Sequence, residues 1–272
     1  MSERVLRQAS TPPTVIDTST AHIARVYDYF LGGKDNFPAD REAAARILKG
    51  NPGMRDTCRE QREFLRRAVR FLTRAGIRQF IDIGTGLPTQ ENTHEVAQAI
   101  AADARVAYVD NDPIVLAHAR VLMADQDHGR TVFIHADARD PQSLLADSTL
   151  RSVIDFDQPV AVLLIGILHF MPDHDHPEHL IRTLLDALPD SSYLAASHGT
   201  PDFAPEVGGA VQAAYQASSM PCRVRTADEV MGLLTGVELV DPGLVLLAEW
   251  RPDGPVPANR QQITYAAVGR KG

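Results

Sequence analysis

The chain has 272 residues, of which 44% are hydrophobic and 23% charged, a composition typical of a folded domain that excludes a largely disordered protein. Its formal net charge of -8 gives no long-range attraction for nucleic acids or anionic membranes, so we expect a small-molecule substrate and neither of those partners. The longest apolar run, Val160 to Leu168, is far shorter than the roughly 20 residues of a membrane span, and the two cysteines match no metal or redox spacing, so we expect a cytoplasmic protein.

The first third of the chain is predicted to be helical. Residues 1–17 are polar and are expected to be mobile. Apolar residues at helical spacing predict a helix that begins near Thr20 and stops at Gly32–Gly33, and a second helix should begin near Pro38. An arginine-rich amphipathic helix follows over 55–78. We predict that these helices form an N-terminal lobe over residues 18–76.

The rest of the chain, residues 77–272, alternates short apolar runs with helical stretches. This alternation predicts a parallel sheet that is covered on both faces. Two strand-like runs near the end, 236–247 and 262–269, have only a proline-rich loop between them, so they should pair antiparallel. We therefore predict an α/β fold with a doubly wound, mostly parallel, seven-stranded sheet that ends in an antiparallel hairpin.

The first predicted strand of this core runs into the loop "FIDIGTGLPTQEN", residues 80–92. In a doubly wound sheet the ligand lies at the carboxyl ends of the strands, where the first strand-to-helix turn meets it. Gly84 and Gly86 would let a ligand approach the backbone without a Cβ in the way. A dinucleotide-binding loop needs a third glycine, but that position is Thr89, preceded by Pro88, so a diphosphate ligand is not favoured.

Acidic residues follow the next two predicted strands. Asp110 lies where a carboxylate can accept hydrogen bonds from both hydroxyls of a ribose, and Asp137 lies where one can accept from the N6 amine of adenine. Either acid could instead cap a strand end. Asp82, inside the first strand, is predicted to be a buried acid that holds loop amides. Together with the glycine loop, the two strand-end acids indicate an adenosine-containing ligand without a diphosphate, namely S-adenosylmethionine.

These segments, with "LHFMPD" after the fourth predicted strand and the terminal hairpin, resemble the class I S-adenosylmethionine-dependent methyltransferases. The N-terminal run "ARVYDYFLGGKDNFPADREAA", residues 24–44, is similar to a bacterial S-adenosyl methyltransferase family of unknown substrate. The resemblance extends from about Thr20 to the end of the chain. It implies an enzyme that transfers a methyl group from S-adenosylmethionine to an unidentified, small-molecule acceptor.

The resemblance also implies which residues contact the cofactor. Those implied are Gly84, Thr85 and Gly86 at the amino-acid part, Asp110 at the ribose, Asn111, Asp137 and Ala138 at the adenine, and Gly166 at the methyl group. Tyr27 belongs to a "YD" segment that folds over the cofactor in related methyltransferases. With Asp82, it completes the predicted cofactor site.

A general base is needed only if the acceptor must lose a proton. His169, just beyond the fourth predicted strand, is the best candidate, and the alternative is a histidine that packs and forms local hydrogen bonds. The residues predicted to line the acceptor side are Tyr29, Phe37, His169, Phe170, Met171, His198 and Trp250. Such a lining suits an apolar or aromatic molecule and equally suits a packed interface, so the acceptor atom stays open, as does the oligomeric state.

Two alternatives from other functional classes remain. The run "HDHPEH", His174 to His179, nearly reproduces the H-x-H-x-D-H run of metallo-β-lactamase-like hydrolases, with Glu178 in place of the acid, which would suit a zinc-dependent hydrolase. The same run also fits a loop that enters a helix, with Asp173 or Asp175 as its cap, and we predict no metal site. A non-catalytic S-adenosylmethionine-binding sensor is the second alternative.

Overall fold

The structure is a computed structural model that describes residues 17–88, 91–123, 130–256 and 263–272. The segment predicted to be mobile, residues 1–17, lies outside the described residues except for Asp17. Thr89, the position of the missing third glycine, and the second half of the predicted proline-rich loop also lie outside them.

The helices that precede the first strand are α1 (Ile23–Leu31), α2 (Pro38–Gly50) and α3 (Met54–Arg74). Gly32 ends α1 in the left-handed region, with a φ of 85°, where glycine has no Cβ to clash. α1 and α2 pack together and against a later helix through an apolar cluster that contains Phe30 and Ile47. The predicted helices are therefore present in this part of the chain.

The strands and the remaining helices alternate along the core. The strands are β1 (Gln79–Ile83), β2 (Arg105–Asp110), β3 (Thr131–His135), β4 (Ala161–Leu164), β5 (Tyr193–Gly199), β6 (Val237–Leu239), β7 (Val245–Leu246) and β8 (Thr264–Lys271). The helices are α4 (Thr93–Gln98), α5 (Pro113–Met123), α6 (Pro141–Ala146), α7 (Ser148–Val153), α8 (Pro177–Asp186), α9 (Pro205–Gln216) and α10 (Ala227–Leu233).

Within the described ranges the sheet has the order β3-β2-β1-β4-β5-β8-β6, and β7 also pairs with β8. The pairs among β1 to β5 are parallel, whereas β8 runs antiparallel to β5 on one side and to β6 and β7 on the other. The predicted doubly wound, mostly parallel sheet with an antiparallel end is confirmed. The described part of the sheet has eight strands in seven positions, because β6 and β7 share the position beside β8.

The edge position beside β8 is divided between β6 and β7. The residues between them include Pro242, which has no N–H to donate, and Gly243, whose φ of 86° turns the chain. The run that was predicted as one strand, 236–247, is therefore two short strands.

Apolar side chains cover both faces of the sheet, because successive strand residues point to opposite sides. Ile81 and Ile83 of β1 pack on the face that α6, α7, α8 and α10 cover. Phe80 packs on the other face, against Phe64 and Leu72 of α3. The third helix of the predicted lobe is thus also a layer of the core. No helix in the described ranges is long and apolar enough to cross a membrane.

Candidate active site

A cavity of about 300 Å³ lies where β1 to β4 end at their carboxyl sides. The order of the sheet reverses between β1 and β4, and this switch point is where open α/β sheets bind their ligands. Residues of α1 and α3 and the segment that follows α9 form the opposite wall. The cavity therefore lies between the sheet and the N-terminal helices.

The loop after β1 faces the cavity with two glycines in the left-handed region. The φ angles are 72° at Gly84 and 67° at Gly86. A Cβ at Gly84 would lie 2.6 Å from the side chain of Ile167, whereas a Cβ at Gly86 would meet no described atom within 4 Å. The Gly84 N–H donates to the Val109 carbonyl at 2.8 Å, which holds the loop against β2.

Asp110, at the end of β2, is bound to this loop. One carboxylate oxygen accepts from the N–H of Gly86 at 2.8 Å, and the other accepts from the N–H of Asp112 at 2.9 Å. Burial raises the pKa of Asp110. Each carboxylate oxygen has a further lone pair, so Asp110 can hold the loop and also accept from ligand hydroxyls.

Asp82 is buried beneath the same loop and also lines the cavity. Its carboxylate accepts from the Thr93 hydroxyl at 2.6 Å, and burial raises the pKa of Asp82 to about 6. This hydrogen bond holds Thr93, the first residue of α4. The sequence had instead predicted that Asp82 accepts hydrogen bonds from the amides of the loop. Arg62 of α3 lines the cavity as well, and its charge partly lowers the pKa of Asp82.

The loops after β2 and β3 form the far end of the cavity. Asp137 lines it and accepts from the guanidinium Nε of Arg139 through both carboxylate oxygens, at 2.9 and 3.1 Å. This pairing with Arg139 lowers the pKa of Asp137. A ligand amine placed here would share the carboxylate with Arg139. Asn111 and Ala138 line the same end.

The structure brings all the predicted cofactor residues to this one cavity. They are Tyr27, Asp82, Gly84, Thr85, Gly86, Asp110, Asn111, Asp137, Ala138 and Gly166. Tyr27 reaches it from α1, and its hydroxyl donates to the Cys58 carbonyl at 2.9 Å. Of the predicted acceptor-side residues, Phe170 and Met171 line the cavity.

Three aromatic residues predicted on the acceptor side lie elsewhere. Trp250 is fully buried on the face of the sheet that α3 covers. The centroid of its ring lies 5.4 Å from that of Phe64 and 5.8 Å from that of Phe71. Tyr29 lies under the guanidinium of Arg55, and Phe37 packs in a small cluster beside the glycine loop. The sequence indicated aromatic residues near strand ends and helices, but tertiary packing places these three away from the cavity.

The two predicted histidines pack behind the β4 loop instead of lining the cavity. His198 donates through Nδ1 to the Gly199 carbonyl at 2.8 Å and accepts at Nε2 from Arg225 at 2.9 Å, and burial lowers its pKa to about 4. The ring of His169 lies 4.3 Å from that of Phe170, and burial lowers its pKa to about 3. This placement favours the packing alternative for His169 over a general base.

The histidine run of the hydrolase alternative does not converge. His174 is 81% exposed, His176 pairs with Glu178 at 3.3 Å, and His179 lies 3.1 Å from the Gln142 amide. Over the described part of the chain, no group of three or more His, Cys, Asp and Glu side chains is arranged to hold a metal ion. The zinc-dependent hydrolase alternative therefore finds no support here.

The start of α8 differs from the predicted capped helix. His176, at the N-cap, makes no side-chain cap bond, and Asp173 instead pairs with Arg225 at 2.6 Å. Arg225 also donates to the Met171 carbonyl at 3.0 Å. The acid predicted to be a cap therefore helps to hold the loop that follows β4.

The groups around the cavity fit S-adenosylmethionine. Asp110 offers acceptor oxygens to a ribose, the left-handed glycine turn brings backbone close to a ligand, and Arg62 offers a cation to a carboxylate. Sequence reasoning missed Arg62, which belongs to a helix rather than to a strand-end motif.

Comparison with known proteins identifies the family. The profile of the S-adenosyl methyltransferase family matches residues 9–272. A DUF574 family protein from Streptomyces avermitilis is 45% identical over 95% of this chain and 100% of its own, with a TM-score of 0.91. A candidate methyltransferase from Thermobifida fusca is 41% identical over 97% of this chain and 99% of its own, with a TM-score of 0.90.

More distant comparisons concern the fold alone. Human N-acetylserotonin methyltransferase, solved with S-adenosylmethionine, is 14% identical over 93% of this chain and 63% of its own, with a TM-score of 0.50. A search of the curated proteins gives no match. The family profile spans all the residues that the structure describes, and two solved structures share the fold of this chain at 45% and 41% identity. This chain therefore belongs to the S-adenosyl methyltransferase family and is a class I enzyme that uses S-adenosylmethionine.

Proposed function

We propose that this enzyme methylates a small molecule that binds inside the cavity, next to the cofactor. The supporting observation is that every predicted cofactor residue lines the cavity, together with apolar and aromatic residues of α1, α3 and α9. The net charge of -8 also supports a small molecule over a nucleic acid.

The proposed cofactor position follows the strand ends. Asp110 would accept from the ribose hydroxyls, the loops of Asn111 and Asp137 would surround the adenine, and Gly84 to Gly86 would face the amino-acid part. Arg62 would pair with the carboxylate of that part, since charge-assisted bonds of this kind are strong. Gly166 would then face the methyl group.

The protein's part in the reaction is to position the acceptor and exclude water. When bound, S-adenosylmethionine supplies an electrophilic methyl group on a sulfonium. Tyr27 and Leu65 from one side, and Phe170 and Met220 from the other, would enclose the acceptor beside it. Orienting the two reactants in this way lowers the barrier without a protein nucleophile.

Two further proposals concern organisation and location. The helical lobe, residues 18–76, would cover the cofactor that the core, residues 77–272, holds at its strand ends. The enzyme would work in the cytoplasm, which is supported by two thiols, Cys58 and Cys222, that are buried and free.

The cofactor proposal is tested by calorimetric titration with S-adenosylmethionine, S-adenosylhomocysteine, NAD and zinc in parallel. We expect saturable binding of the first two, and Asp110→Ala should weaken it about 100-fold because charge-assisted bonds to the ribose are lost. Asp186→Ala, at the exposed end of α8, is the matched control and should bind as the wild type does. Binding of NAD instead of the two sulfur compounds would refute the proposal.

A further inference from the structure

The wall of the cavity that faces away from the strand-end acids contains two buried polar side chains. Gln61 of α3 and Tyr215 of α9 both line the cavity, and each is only 6% exposed. Neither the Gln61 amide nor the Tyr215 hydroxyl forms a hydrogen bond with another residue that the structure describes, and neither is among its fully enclosed unpaired polar atoms, so both groups are open to the cavity. These two groups can therefore donate hydrogen bonds to a ligand in the cavity and accept hydrogen bonds from it.

Gln61 lies beside the end of β4. Its amide oxygen fills the space that a Cβ of residue 166 would take, so only glycine, here with a φ of 78°, admits the side chain at this place. Gly166 is the residue proposed to face the methyl group. The Gln61 amide is therefore next to the proposed point of transfer.

The surroundings of this pair are apolar and aromatic. The ring of Tyr215 packs edge-on against Phe170, with 5.1 Å between the ring centroids, and Met171 and Met220 line the cavity beside them. Ring edges and methionine sulfurs pack well against a flat aromatic molecule. The wall therefore suits an aromatic ring.

The acids of the cavity lie at the strand ends and not on this wall. They are Asp82, Asp110 and Asp137, and Arg62 donates to the Glu91 carbonyl in the loop after β1. A cationic acceptor beside Gln61 would lose its hydration without a carboxylate on this wall to pair with, and an anionic acceptor would compete with the cofactor carboxylate for Arg62. An uncharged acceptor is favoured.

The pair also limits the acceptor atom. An amide does not titrate, and burial raises the pKa of the Tyr215 hydroxyl well above its usual value, so neither group removes a proton at neutral pH. An acceptor that relies on this pair alone should therefore arrive as a nucleophile. A neutral aromatic amine does so, and its N–H can donate to the Gln61 oxygen while its lone pair points to the methyl group.

We propose that Gln61 and Tyr215 form the acceptor subsite and that the acceptor is an uncharged aromatic amine, an inference that rests on the proposed function. The amine lone pair forms the new N–C bond as the S–C bond breaks, and the electrons of that bond stay on sulfur. The sulfonium becomes the neutral thioether of S-adenosylhomocysteine. The nitrogen takes the positive charge and loses its proton to water.

The test is calorimetry on the full chain saturated with S-adenosylhomocysteine, with 4-ethylaniline as the probe. Two probes of the same scaffold serve as comparisons, 4-ethylbenzoate with a charge and ethylbenzene without a polar group. We expect 4-ethylaniline to bind, and both comparisons to bind at least about tenfold more weakly. Gln61→Ala and Tyr215→Phe should each raise the Kd of 4-ethylaniline at least about tenfold. Tyr193→Phe and Gln142→Ala, away from the cavity, are the matched controls.

The possible outcomes distinguish a failure of the proposed function from a failure of the acceptor subsite. Failure of the wild type to bind S-adenosylhomocysteine would refute the proposed function. With that binding intact, absent binding of 4-ethylaniline, tighter binding of 4-ethylbenzoate, or a Kd that both variants leave within twofold would refute only the acceptor subsite. A Gln61→Ala variant that loses affinity for S-adenosylhomocysteine, but not for the amine, would assign Gln61 to the cofactor and refute it as well.

Discussion

At the scale of single residues, Asp82 is the most buried of the three aspartates that line the cavity. It is 5% exposed, and a hydroxyl from Thr93 is the partner of its carboxylate. Burial raises its pKa to about 6, against about 3.9 for an aspartate in an unfolded chain. The folded protein therefore holds a proton here, at pH values where the unfolded chain has released it.

This environment makes the stability pH-dependent. Between about pH 4 and pH 6 the folded state binds more protons at Asp82 than the unfolded state does, so the free energy of unfolding should fall as the pH rises. Asp82→Asn keeps an oxygen for the Thr93 hydroxyl and removes the titration. Its stability relative to the wild type should rise by about 2 kcal/mol from pH 4.5 to pH 8, measured by urea denaturation.

The control for that experiment is Asp186→Asn, because Asp186 is exposed at the end of α8. Its difference from the wild type should not change with pH. If the difference between Asp82→Asn and the wild type is also flat over this range, then Asp82 is not the titrating group.

At the scale of elements, the β1–α4 loop combines two glycines that serve different purposes. Both have left-handed φ angles, but a Cβ on Gly84 would clash with Ile167, whereas a Cβ on Gly86 would meet open space in the cavity wall. The first glycine is needed for packing between β1 and the β4 loop. The second leaves room that a ligand can use.

Alanine at the two positions should therefore have different effects. Gly84→Ala should lower the free energy of unfolding by more than about 2 kcal/mol, because Ile167 must move in addition to the backbone strain. Gly86→Ala should cost only about 1 kcal/mol but weaken the binding of S-adenosylhomocysteine at least about tenfold. Chemical denaturation and calorimetry on the same samples measure both quantities.

Gly236→Ala is the control for strain alone, since Gly236 has a φ of 85°, lies outside the cavity lining, and a Cβ there meets no described atom within 4 Å. It should lose about 1 kcal/mol of stability and no affinity. Equal losses of affinity in Gly84→Ala and Gly86→Ala would show that the two glycines do not divide the roles in this way.

Local sequence patterns predicted most of the elements and the strand-end residues of the cavity. Asp110 ends β2 and Asp137 lies two residues after β3, and parallel strands bring such residues to one edge. The helix residues that line the cavity could not be predicted in this way, because tertiary packing decides which face of a helix meets the sheet. A signal for Gln61 existed, since it interrupts the apolar stripe of α3 between Cys58 and Leu65. Tyr215 carried no comparable signal.

At the scale of the whole molecule, Arg25 of α1 joins the predicted N-terminal lobe to the predicted core. It is 5% exposed and lies 3.7 Å from Asp40 of α2 and 3.4 Å from Asp112, which follows β2. Both acids are also buried. The same cation therefore balances a carboxylate of the lobe and one beside the predicted ribose site.

Removing that cation should loosen the lobe. Arg25→Met should lower the free energy of unfolding by about 2 kcal/mol, because two buried carboxylates lose a neighbouring cation. Asp40 keeps its backbone hydrogen bonds, and Asp112 keeps His22. Arg59→Met is the matched control, since the Arg59–Asp56 pair is 61% and 62% exposed and should contribute less than about 1 kcal/mol. Urea denaturation gives the two values, and hydrogen exchange should locate the loosening in α1. A loss below 1 kcal/mol in Arg25→Met would show that the lobe does not depend on this contact.

The position of β8 in the sheet has a consequence for synthesis. β8 lies between β5 and the short strands β6 and β7, yet the ribosome makes all of these before it makes Thr264 to Lys271. During translation β5 therefore keeps an open edge, and unpaired edges are templates for aggregation. Until β8 pairs with β5, or a chaperone covers that edge, a nascent chain of this enzyme would be prone to aggregate through the unpaired edge of β5.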